Sequence, residues 1–151
     1  MSKTFVLIHG TRHGGWAWQD VVHCLASKGH SAHAPTLAGD GPGATRLGVS
    51  HQDCVASVVN YIREHRLSDI VLVGHSFGGT VVQKVSEQVP DGIGRTVFLN
   101  ALILNDNQCV FDVLPEVFLD KLQPKRDGHP IKTTSDEPIE ILAPVPVGDL
   151  A

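Results

Sequence analysis

The chain has 151 residues, 42% apolar and 19% charged, with a formal net charge of −4. This is ordinary usage for a single globular domain, with no basic footprint for nucleic acid or an anionic membrane surface, and no apolar run near the ~20 residues that a membrane span needs. Cys24, Cys54 and Cys109 are odd in number and widely spaced, and Met1-Ser2-Lys3-Thr4 leads directly into an apolar segment, a combination that points to reduced thiols in the cytoplasm.

In chain order, Thr4-Phe5-Val6-Leu7-Ile8 reads as a short buried strand. It runs into the Gly-rich segment His9-Gly10-Thr11-Arg12-His13-Gly14-Gly15-Trp16-Ala17-Trp18. A helix is expected over 18–28, with Val21, Val22 and Leu25 recurring on one face and Gly29 as its stop. A strand over 31–35 and a loop at 37–43 follow. Its G-D-G-P-G string opens no strand-to-helix turn of the dinucleotide-binding type, so no such cofactor is implied. Residues 50–65 begin with Ser50-His51-Gln52-Asp53, a variant of the capping box, and place Val55, Val58, Val59 and Ile62 on one face. Cys24 and Cys54 are both expected in the core.

The second half of the pattern carries the strongest signal. Asp69-Ile70-Val71-Leu72-Val73 reads as a strand over 69–74, and Gly74-His75-Ser76-Phe77-Gly78-Gly79 follows at once. A helix is then expected from Ser76 through Val85, ending before Pro90. The bare G-x-S-x-G string arises by chance in on the order of a few per cent of chains this long. Placed between a buried strand and a helix, it describes a sharp turn with the serine hydroxyl raised above the sheet. Ser76 is therefore the candidate nucleophile. Acyl transfer also needs two N–H donors aimed at the developing oxyanion. The Gly-rich loop after the first strand supplies one, the N–H of Thr11, and Phe77, the residue after the serine, supplies the other. Gly10 and His75 shape the pocket between them.

These segments resemble the α/β-hydrolases, in the branch that holds plant-type methylesterases, hydroxynitrile lyases and bacterial esterase relatives. The resemblance rests on F-V-L-I-H-G-T-R-H-G-G-W-A-W at 5–18, L-A-S-K-G-H at 25–30, A-P-T-L-A-G-D-G at 34–41, V-L-V-G-H-S-F-G-G at 71–79 and T-V-F-L-N-A at 96–101. It covers about residues 3–120. It implies an α/β fold, a parallel sheet with helices on both faces, a small-molecule ester-type substrate and no cofactor. It also implies structural hydrogen-bonding roles for His9 and His13. The lyases of this branch carry Thr where this chain has Gly10, and Cys where it has Phe77, so ester hydrolysis is favoured over cyanohydrin cleavage.

The family order is Ser, then Asp or Glu, then His, with the acid and base beyond the cap. After Ser76 this chain has one histidine, His129 in a turn before Pro130, and aspartates at 106, 112, 120, 127 and 136. Residues 1–104 are expected to form the N-terminal part of the hydrolase core, 105–122 the start of a cap, and 123–151 an irregular tail holding Pro124, Pro130, Pro138, Pro144 and Pro146. The C-terminal strands of the fold have no counterpart in this pattern. A strand over 95–104 then leaves Val97, Phe98, Leu99, Leu102, Ile103 and Leu104 on an open apolar edge, which leads to the expectation of a homo-oligomer or of pairing with a chain that supplies the second half. The nine histidines form no metal motif of the H-E-x-x-H kind. Two readings follow: an esterase working through Ser76, or a ligand-binding or interaction module that keeps the half-fold without catalysis.

Overall fold

The computed structural model describes residues 1–114. Four strands, β1 (Thr4–Ile8), β2 (Ser31–His33), β3 (Ile70–Ser76) and β4 (Ile93–Ala101), form one parallel sheet in the order β2-β1-β3-β4. Three helices connect them: α1 (Gln19–Ser27), α2 (His51–Glu64) and α3 (Gly78–Gln88). A short helix, α4 (Val110–Val113), comes last. The rest of the expected cap and the segment 123–151, with His129, lie outside the described residues.

Handedness dictates the layering. The β1-α1-β2 crossover steps one way along the sheet, whereas β2-α2-β3 and β3-α3-β4 step the other way. With right-handed crossovers this puts α1 on one face and α2 and α3 on the opposite face. Strand alternation does the rest. Val6, Ile8, Ile70 and Leu72 point into the α2/α3 layer and meet Val55, Val58, Val59, Ile62, Val81, Val82 and Val85 in the core. Each such side chain contributes about 1.5–3 kcal/mol by leaving water. All four apolar positions expected on α2 are buried, as is Cys54. Its N-terminus is closed by the full reciprocal capping box. Asp53 N–H donates to Ser50 Oγ at 3.2 Å, and Ser50 N–H donates to Asp53 Oδ2 at 2.8 Å.

Several ends differ from the sequence pattern for identifiable reasons. β2 stops at His33 because Pro35 has no N–H to pair and because Gly15 packs against the Ala34 carbonyl so closely that no Cβ would fit there. β3 runs on to Ser76, and α3 begins only at Gly78, with Phe77 as its cap residue. β4 begins two residues earlier than expected and ends at Ala101. Its register skips Asn100, at φ +44, opposite the His75/Ser76 step, which is a bulge at the end of the ladder. Cys24 is not in the core but exposed. At 100° per residue the half-buried Trp18, Val22 and Leu25 mark the covered side of α1 and its cap, and Cys24 falls about a third of a turn outside that stripe. Val21, on the flank of that stripe, is exposed as well. β4 pairs only with β3 among the described residues; Phe98, Leu99 and Ile103 are exposed, whereas Val97, Leu102 and Leu104 are half-buried.

The box makes a direct stability prediction. Ser50→Ala is expected to lower the unfolding free energy by about 1 kcal/mol in urea titrations, whereas Cys24→Ser should stay within about 0.5 kcal/mol of the parent. Equal effects would contradict both assignments.

Candidate active site

The loops after β1 and β3 leave toward opposite faces of the sheet, one to α1 and one to α3. Their divergence opens a crevice at the carboxyl ends of two adjacent strands, the place where parallel sheets of this kind bind ligands. The β1/β3 register pairs Ile8 with Gly74, so two residues further on Gly10 faces Ser76. A Cβ built on Gly10 would lie 2.9 Å from Ser76 Cβ and 3.4 Å from its Oγ. Only glycine leaves this position open.

Ser76 adopts φ +52, the left-handed region that a serine enters at a cost of about 1–3 kcal/mol. Close backbone packing holds it there. A Cβ on Gly78 would come within 2.7 Å of the carbonyl oxygens of both Ile8 and His9, and one on Gly74 within 2.6 Å of the Gly78 oxygen. Gly79 packs just as tightly against Leu102 O and Ala101. The glycines therefore serve close approach between α3 and the strand ends, and the serine itself makes the turn.

Two peptide planes beside Ser76 are fixed. His9, fully buried, accepts from Leu37 N–H on Nε2 at 3.0 Å and so must carry its proton on Nδ1, which donates to Gly10 O at 2.8 Å. In a trans peptide N–H points opposite to C=O, so this bond aims the Thr11 N–H away from His9. On the other side Leu102 N–H donates to Ser76 O at 3.0 Å, which aims the Phe77 N–H in the same manner. Neither N–H is used in the turn, loop and cap bonds of the described residues. His13 Nδ1 donates to Thr11 O at 3.1 Å. The structural roles expected for His9 and His13 are thus in place.

A cleft of about 320 Å³ opens beside Gly10, lined by His9, His13, Ala17, Trp18, His75 and Leu99. His75 Nδ1 donates to Leu99 O at 2.9 Å, and the ring meets Trp18 edge-on. His75 is thereby a wall of the cleft, turned from the serine. No imidazole or carboxylate of the described residues is hydrogen-bonded to Ser76 Oγ, and no cluster of three His, Cys, Asp or Glu side chains suits a metal among them. A larger cleft of about 440 Å³ lies across the elbow, bounded by His51, Phe77, Thr80, Gln83, Lys84 and residues 104–110. Nothing in the sequence pattern singles out His51 beyond its place directly after the Ser50 cap.

A strand, a left-handed serine and a helix at the switch point of a parallel sheet define a strand–elbow–helix protein of the α/β class. The chain belongs to the alpha/beta hydrolase family, which it matches over residues 5–146, further than the stretch to about 120 that its motifs mark. It is 30% identical over 144 residues to a carbendazim hydrolyzing esterase from a Nocardioides species, covering 94% of this chain and 60% of that one. It is 36% identical over 110 residues to esterase PIR7B of Oryza sativa subsp. japonica, covering 66% and 38%. Among solved structures, an extracellular alpha/beta-hydrolase from a Paenibacillus species, described as sharing structural and functional homology with tobacco salicylic acid binding protein 2, is 42% identical. It superposes with a TM-score of 0.77 over 83% of this chain and 52% of that chain. Polyneuridine aldehyde esterase is 30% identical with a TM-score of 0.66, over 80% and 48%. The chain therefore spans between about two fifths and three fifths of the length of these relatives. The α/β-hydrolase fold expected from the sequence is the fold observed.

Burial removes water from the His9 ring and pushes its pKa below the ordinary 6.5. The unfolded chain then binds the extra proton first, so this contribution to stability is present above about pH 6.5 and is lost as pH falls toward the folded value. His33 and His51, lowered chiefly by desolvation too, act in the same sense. The urea midpoint is expected to drop between pH 7.5 and about 5.5, and His9→Gln should make that drop shallower; an unchanged pH slope in the variant would contradict the buried neutral state.

Proposed function

We propose that this chain carries the nucleophile and oxyanion half of a serine esterase that cleaves a carboxylic ester or a related carbamate or amide. Ser76 Oγ attacks the substrate carbonyl and forms an acyl-enzyme. The N–H groups of Thr11 and Phe77 stabilise the oxyanion, and Gly10 and His75 shape the cleft for a small molecule. The observation that carries the reading is Ser76 at φ +52 facing Gly10, with the peptides of both donors already oriented by His9 and Leu102. Donors oriented before the reaction need no reorganisation as charge develops, and one such donor is worth about 2.7–4 kcal/mol. The relatives named as esterases support the same substrate class. The free thiols of Cys24, Cys54 and Cys109 support a cytoplasmic location.

One observation favours a second reading, a ligand-binding module without turnover. Ser76 Oγ has no base among the described residues, and a serine hydroxyl without one is a weak nucleophile. The general base and its acid are assigned to none of residues 1–114; His129 is the only histidine after Ser76.

Hydrolysis of p-nitrophenyl acetate by the 151-residue chain, measured beside Ser76→Ala, separates the two. The esterase reading requires turnover that falls to the uncatalysed rate in the variant. A Gly10→Ala variant, whose new Cβ would press on Ser76, should lose at least about tenfold in kcat/KM. Identical background rates in the parent and Ser76→Ala would favour the binding module.

A further inference from the structure

We infer that His51 is a positioning residue for the oxyanion donor of Phe77, acting through the Thr80 hydroxyl from the opposite side of the elbow to the substrate cleft. The inference rests on the esterase reading only for its catalytic consequence.

Phe77 is held on both sides. Its preceding peptide is fixed by Leu102 N–H on Ser76 O. Its own carbonyl accepts two bonds from Thr80, from the N–H at 3.0 Å and from the hydroxyl at 2.8 Å. A hydroxyl has one proton, and that of Thr80 is used on Phe77. Thr80 Oγ1 therefore offers only lone pairs to His51 Nε2, which lies 3.0 Å away, so Nε2 is protonated and donates. Thr80 is buried at 2% exposure, which makes the ring the partner that completes this hydroxyl. A donor directed into Oγ1 polarises the O–H and strengthens its bond to the Phe77 carbonyl.

The ring acts by a second route. The His51 and Phe77 rings meet edge-to-face, with centroids 5.7 Å apart at 89°, an arrangement that aromatic pairs favour. Carbonyl and side chain of Phe77 are thus both tied to His51, and together they set the direction of the N–H between them. His51 can serve as a fixed point because it is the first residue of α2, directly after the Ser50–Asp53 box. It sits at the exposed rim of the 440 Å³ cleft, so its replacement should leave the buried core intact.

The test is the rate at which a fluorophosphonate labels the full chain, read with the amide spectrum of chain labelled with ¹⁵N-phenylalanine. His51→Phe keeps an aromatic ring and deletes the donor, and His51→Gln restores a donor. Labelling is expected to fall about fivefold to tenfold in His51→Phe and to return to within about twofold of the parent in His51→Gln. Thr80→Val should match His51→Phe, and the double variant should be no slower than Thr80→Val alone. The Phe77 amide should shift in His51→Phe, return in His51→Gln, and leave the other phenylalanine amides in place. Parent-like labelling and an unmoved Phe77 amide in His51→Phe would overturn the inference. If the parent itself is not labelled, the activation of Ser76 fails, while the Phe77 amide still decides the role of His51: a shift upholds it and no shift overturns it.

Discussion

The structure of the site depends on how closely the backbones of β1, β3 and α3 approach one another. Gly78 rests on the carbonyls of Ile8 and His9, and Gly10 faces Ser76 at a separation that excludes any side chain. These contacts turn the chain at Ser76 into the left-handed region, a conformation the serine would not hold by itself. The strain resides at Ser76 and is offset by the packing of α2 and α3 on the sheet. The same approach brings the loop after β1 beside the elbow, so one steric constraint builds both the turn at Ser76 and its surroundings.

Hydrogen bonding then converts that shape into an electrostatic field. His9 is used as a neutral strut, with one nitrogen receiving Leu37 and the other directing the Gly10 carbonyl. Leu102 does the equivalent for Ser76 across the β4 ladder. Two N–H groups are left pointing away from these anchors, each in a peptide that has little freedom to turn. In the proposed reaction such a fixed pair would spare the reorientation that water needs as charge develops.

Local periodicity made most of this legible. The apolar runs of β1 and β3, the Val55-Val58-Val59-Ile62 face, the Ser50 box and the glycines around Ser76 are all short-range signals, and each marks an element that is present. What the pattern could not carry was tertiary. Cys24 follows valines that look like a helix face, yet the direction in which α1 lies over β2 decides which side is covered. The strand ends depend on contacts such as Gly15 against Ala34 and the bulge at Asn100. His51 and Thr80 meet across 29 positions of sequence, and no spacing rule links them. The elbow glycines were expected to make the turn; in the fold Ser76 itself makes it, and the glycines allow close backbone approach instead.

The family membership is shared with chains named as esterases, of which this chain covers 60% at most among the relatives described. Its own site must therefore be judged from its own atoms. We propose Ser76 as an activated hydroxyl at the crevice between β1 and β3. Peptide mapping by mass spectrometry after treating the folded chain with a fluorophosphonate tests this most directly. A single adduct on Ser76 is expected, lost when the chain is unfolded in urea beforehand. An adduct on another serine such as Ser57 or Ser86, or none on a chain shown to be folded, would contradict it.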